Sequence, residues 1–75
     1  MQSMPIKYVI IDECCPMLFI AQNHKDMLKH GNITSAGFVT LANGTVTVYG
    51  KSHSLDMAPS RHDAHIIARA LGLSA

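Results

Sequence analysis

Apolar positions near the start of the chain fall in two short runs separated by a polar break. Ile6-Lys7-Tyr8-Val9-Ile10-Ile11 is β-branched and aromatic and follows Pro5, which predicts a strand with proline at its tolerated first position. Asp12-Glu13-Cys14-Cys15-Pro16 reads as a turn, and Met17-Leu18-Phe19-Ile20 predicts a second, short strand. The two form a hairpin with a loop of about five residues. Asn23 can cap the next segment, Asp26 complements a helix dipole and Gly31 stops it. A helix over His24 to His30 has only two turns, so it needs packing through Met27 and Leu28 to persist.

Ser35 to Gly50 carries the clearest alternation. Asn43-Gly44 suits a two-residue type I′ turn, which sets Ala42 against Thr45, Leu41 against Val46, Thr40 against Thr47, Val39 against Val48 and Phe38 against Tyr49. Val39, Leu41, Val46 and Val48 then share an apolar face, while Phe38, Thr40, Thr47 and Tyr49 share the other. The last element is a helix capped by Ser60, with Asp63 at the third position and an Ala64, Ile67, Ala68, Leu71 stripe. Gly72 ends it and Leu73 folds back on it. The order is ββαββα, an α+β class: a four-stranded antiparallel sheet with two helices packed on one face. The opposite face is then exposed, or it is the interface. Residues 1–75 read as a single domain, with residues 1–4 expected to be disordered.

Composition sharpens that picture. The 75 residues are 48% apolar but only 15% charged, whereas a soluble domain carries about 25% charge. Such hydrophobicity excludes disorder, and the length excludes a βα barrel or a dinucleotide-binding fold. A small fold buries a modest share of its surface. Its surplus apolar groups are therefore expected to be covered by another protein or by a copy of the chain, as a homo-oligomer. Net charge is +1, with the six Lys and Arg scattered, so no nucleic-acid footprint is present. The Met1 to Pro5 segment lacks a basic region followed by an apolar core, and no run approaches a membrane span. The expected address is the cytoplasm, with no membrane partner.

Several patterns carry candidate chemistry. Gly50-Lys51-Ser52 imitates the end of a phosphate-binding loop, but the required earlier glycine would stand at Thr45, and Gly44 is one residue too early. His62 and His65 share a helix face and, with His53, are the candidate metal ligands. Cys14-Cys15 lacks the spacing of structural zinc sites and offers no disulfide framework. A Cys–His or Ser52-His53-Asp56 catalytic set is not expected, because triads are assembled from distant segments and enzyme pockets need about 300 Å³ or more. Phe38 and Tyr49 could stack bases, yet only Lys51 lies nearby to bind a backbone.

Ser35-Ala36-Gly37-Phe38-Val39, Tyr49-Gly50-Lys51-Ser52-His53-Ser54-Leu55, Ser60-Arg61-His62-Asp63-Ala64 and Leu71-Gly72-Leu73 together resemble a shared pattern. It is the SAGF…YG-x-S-x-SL…SR-x-DA…LGL pattern of small proteobacterial and prophage proteins of no assigned activity. The resemblance covers roughly the C-terminal half and transfers no residue role. By size and the origin it implies, the chain is also similar in class to phage-encoded inhibitors of bacterial defence, such as anti-CRISPR proteins.

The expected function is accordingly that of a non-enzymatic protein-binding module of phage type, an inhibitor of a host protein, needing no cofactor. Phe38, Thr40, Thr47, Tyr49 and Lys51 are the expected partner-binding residues. The alternatives are a metal-binding or metal-sensing protein using His62 and His65, and a nucleic-acid accessory protein.

Overall fold

The β-branched run after Pro5 forms strand β1 (Ile6–Ile11), and a computed structural model describes residues 5–73 around it. Strand β2 (Cys15–Phe19) pairs antiparallel to β1, followed by a 3-10 helix (His24–His30), β3 (Ile33–Ala42), β4 (Thr45–Tyr49) and helix α1 (Asp63–Ala70). The result is a four-stranded antiparallel sheet in the order β2-β1-β3-β4, with two helices: an α+β fold. Among the described residues no helix is long and apolar enough to cross a membrane. Residues 1–4, expected to be disordered, lie outside the described residues.

The β3–β4 register runs from Phe38↔Tyr49 to Ala42↔Thr45, as the Asn43-Gly44 turn predicts. Both turn residues have positive φ (53° and 75°), the requirement of a type I′ turn. The first hairpin is tighter than expected. Asp12 and Glu13 both adopt left-handed backbone (φ 52° and 61°), and the Cys14 amide closes onto the Ile11 carbonyl at 3.1 Å. That closure draws Cys15 and Pro16 into β2, with Pro16 opposite Ile10. A proline fits there because β2 is an edge strand and its missing donor can face solvent.

The two helices do not share a face, contrary to the packing expected from the sequence. Alternation along β1 sends Tyr8 and Ile10 to one side and Val9 and Ile11 to the other. Ile67 of α1 joins Tyr8, Ile10 and Val39, with Leu18, Val46, Val48 and Ile66 around them. Met27 of the 3-10 helix joins Val9, Ile11, Ile33 and Ala36 on the opposite side, where Leu55 and Met57 also pack. So the face expected to be bare is covered over β1 and the start of β3, while Thr40, Thr47 and Tyr49 at its β4 end stay exposed. Leu28 does not anchor its helix either, being 51% exposed; buried His24 takes that role beside Met27.

At the end of α1 the Gly72 amide reaches the Arg69 carbonyl and the Leu73 amide reaches that of Ala68. Paired bonds of this kind, with Gly72 at φ 76°, form a Schellman stop, which the Gly72-Leu73 pair predicts. Elsewhere a glycine is required by space. A Cβ at Gly37 would stand 2.8 Å from Pro59 Cγ and 3.0 Å from the Tyr49 carbonyl oxygen. Backbone cannot retreat as a side chain can, so Gly37→Ala is expected to cost about 1–3 kcal/mol. A urea midpoint unchanged by that substitution would show that the Pro59 crossover yields easily to an added methyl group.

Candidate functional site

Three features combine polar chemistry with shape. The first is a buried carboxylate. Asp63, only 1% exposed, begins α1 and lies over the middle of the sheet. Tyr8 donates its hydroxyl to Oδ2 at 2.6 Å, Ser35 donates to Oδ1 at 2.8 Å, and the Ser60 amide donates to Oδ2 at 2.9 Å. Three donors offset the desolvation of a carboxylate that lacks a cation beside it among the described residues. The network also acts on its donor: burial first, then the bond to Asp63 and its negative charge, push the Tyr8 phenol far above its ordinary value. A recess of about 100 Å³ adjoins the carboxylate, with Glu13, Thr34 and His62 on its walls. That volume has room for a few waters or a small ion beside the carboxylate.

The second feature is the β1–β2 turn. The Cys14 and Cys15 sulfurs approach to 3.0 Å, and both thiols are free and exposed. The shared S–H interaction with Cys15 is the main cause that pushes the Cys14 thiol up. A thiol pushed up in this way carries less thiolate at neutral pH than a free cysteine. Cys14 nevertheless borders an open groove of about 450 Å³ with Glu13, His65 and Arg69. This groove exceeds the space expected of so small a fold; it forms because α1 passes beside the turn.

The third feature is the β3–β4 hairpin, where the expected partner-binding residues gather. Phe38 and Tyr49 stack across the strands with ring centroids 5.7 Å apart. Phe38 is half-buried, because His24 meets its ring edge-on at 5.4 Å. His24 also packs edge-on against Phe19 and donates Nε2–H to the Gly37 carbonyl at 2.7 Å. Only the nitrogen can be the donor there, since a carbonyl only accepts. Tyr49, Thr40 and Thr47 are exposed. Lys51 pairs with Asp56 at 3.2 Å, an exposed contact that leaves the ammonium accessible.

The candidate metal ligands are not brought together. His62 faces the small recess and accepts a bond from Arg61 Nε at 3.4 Å, whereas His65 faces the groove beside Cys14. His53 lies exposed in the loop between β4 and α1. Among the described residues no three His, Cys, Asp or Glu side chains form a metal-holding group. Ser52 and Ser54 of the shared pattern shape that same loop. Ser52 is buried, bridges to Met57 through both backbone groups, and its Oγ accepts from the Leu55 amide at 3.3 Å.

Sequence reasoning places Asp63 only at the third position of a helix capped by Ser60, whereas α1 starts at Asp63 itself, and it misses Tyr8 and Ser35 as its partners. A signal is present: a tyrosine inside an otherwise apolar strand needs a buried acceptor for its hydroxyl. No protein-family model, curated protein or solved structure matches this chain.

Proposed function

We propose that this chain is a non-enzymatic protein-binding module whose working surface is the open edge of β4, and that its first partner is a second copy of itself. The observation that carries this reading is the chemistry of that edge. Thr45 to Tyr49 contains no charge and no proline, the two devices that normally blunt an exposed strand. Leu41 and Tyr49, both 43% exposed, flank it.

The ladder dictates which backbone groups are free. A two-residue turn makes Ala42 and Thr45 a hydrogen-bonded pair, so Thr45, Thr47 and Tyr49 bond to β3. Val46 and Val48 then aim their amide and carbonyl groups outward. Antiparallel pairing of two β4 strands about Thr47 sets Val46 against the partner's Val48 and Thr45 against the partner's Tyr49. Each Val pair exchanges two bonds, about four in all. Valine meets valine, Thr47 meets its own copy and Thr45 meets Tyr49, so the segment complements itself. A host-protein strand could use the same edge, and the inhibitor role expected of a phage-type protein would act through it.

Light scattering on the whole chain is expected to show a dimer that dissociates on dilution. Thr47→Lys and Thr47→Glu each place like charges opposite one another, and each is expected to be monomeric. An equimolar mixture of the two variants is expected to restore the dimer. A wild-type chain that stays monomeric at high concentration would remove this reading.

A further inference from the structure

We propose that Cys14 and Cys15 form a chelating dithiol site for a monosubstituted trivalent arsenical, a thiophilic ligand that needs only two sulfurs from the protein. The site is independent of the β4 edge, because it lies on the turn of the other hairpin.

Geometry selects this ligand class. The two sulfurs stand 3.0 Å apart on neighbouring residues, so both reach one atom from the same side. Soft sulfur ligands favour soft ions. A zinc tetrahedron requires four ligands, and no third His, Cys, Asp or Glu joins the pair among the described residues. A two-coordinate linear ion requires sulfurs on opposite sides of it, which adjacent residues on a closed turn cannot provide. A pyramidal arsenic centre bearing one organic group takes two sulfurs on one side and leaves its third position outside the protein. The groove bordered by Cys14, His65 and Arg69 gives that organic group space.

The turn also holds the thiols in place before any ligand arrives. The Asp12 amide donates to the Asn32 carbonyl at 2.9 Å, the Glu13 amide to Thr34 Oγ1 at 2.9 Å, and the Cys14 amide to the Ile11 carbonyl at 3.1 Å. Cys15 is set opposite Ile11 in the β1–β2 ladder. The backbone carrying the two thiols is therefore ordered in the free protein, which lowers the entropic cost of binding. The reaction is a condensation without oxidant or reductant. Two S–H and two As–OH bonds break, two S–As bonds form, and the thiol protons leave with the hydroxides as two waters.

Intact-mass spectrometry of the reduced chain with phenylarsine oxide, hydrated in water to the dihydroxy form, tests the site. One phenylarsenic group per chain is expected, retained in excess 2-mercaptoethanol and removed by 2,3-dimercaptopropanol. Cys14→Ser and Cys15→Ser remove one sulfur each from an exposed turn, and each is expected to lose retention against the monothiol. Absence of the adduct on a chain with both thiols free would overturn the proposal. So would a wild-type adduct that the monothiol strips as readily as it strips the single-serine variants.

Discussion

Replacing Asp63 by alanine is expected to lower stability by about 3 kcal/mol and the melting temperature by roughly 12–24 °C. The substitution strands three donors at once: the Tyr8 and Ser35 hydroxyls and the Ser60 amide. An unsatisfied buried polar group costs about 1–3 kcal/mol. The neighbouring recess admits water to part of the wound, which keeps the total toward the lower end of three such losses. Asp63→Asn retains the shape and can turn its NH₂ to the Ser35 hydroxyl, which also accepts, so a smaller loss of about 1 kcal/mol is expected from the weaker, uncharged hydrogen bonds. Thermal and urea unfolding of the two variants beside the wild type provide the measurement. A melting temperature for Asp63→Ala within a few degrees of the wild type would mean that the carboxylate does not tie α1 to the sheet.

Alkaline pH is expected to produce the second large loss. The Tyr8 phenol is held far above its ordinary value of 10.0, by burial first and then by its bond to Asp63. Below pH 10 the hydroxyl is protonated in folded and unfolded chains alike, and its contribution to stability is fully present. Above pH 10 the unfolded chain releases the proton while the folded chain keeps it. Folding then requires uptake of a proton, and stability falls by about 1.4 kcal/mol for each further pH unit. By pH 12 the loss approaches ~3 kcal/mol. Tyr8→Phe is expected to begin about 2 kcal/mol less stable at neutral pH and to lose this part of the alkaline slope. Cys14, whose thiol is also pushed up, would add to the slope, so both proteins are compared with the cysteines changed to serine. Equal slopes with and without the Tyr8→Phe substitution between pH 10 and pH 12 would contradict the buried-phenol account.

The parts of the fold legible in the sequence are those set by local chemistry. Asn43-Gly44 admits one turn type, and that turn alone sets five cross-strand pairs. Gly72-Leu73 marks the helix stop because only the glycine lies easily in left-handed backbone. The side on which each helix packs depends on long-range contacts, and there the expectation fails. Yet Tyr8-Val9-Ile10-Ile11 has no polar side, the mark of a strand covered on both faces. A one-face packing is at odds with that run. The second layer also weakens the argument from surplus apolar groups, since Met27, Ile33, Leu55 and Met57 find cover there. Among the described residues the large apolar side chains that remain exposed are Ile20, Leu28, Leu41, Tyr49 and Leu71. The surface left for a partner is the β4 edge together with the exposed Thr40, Thr47 and Tyr49 beside it.

The candidate chemistry is less legible for the same reason. Asp63, Tyr8 and Ser35 lie far apart along the chain, and only the antiparallel register brings them to one point. Much of the SAGF, YG-x-S-x-SL and SR-x-DA pattern has structural work to do. Ser35 and Asp63 bond to each other, Gly37 makes room for Pro59, and Ser52 builds the loop between them.

The position of Pro16 has a consequence for assembly size. The sheet's two rims are chemically unequal: β4 offers an unbroken row of donors and acceptors, whereas a ring nitrogen interrupts the row along β2. When two molecules join rim to rim through β4, each spends its one adhesive side, and proline-bearing rims face outward at both ends. Further addition would meet only this interrupted row, so a pair joined in this way is expected to close and not to grow into a filament.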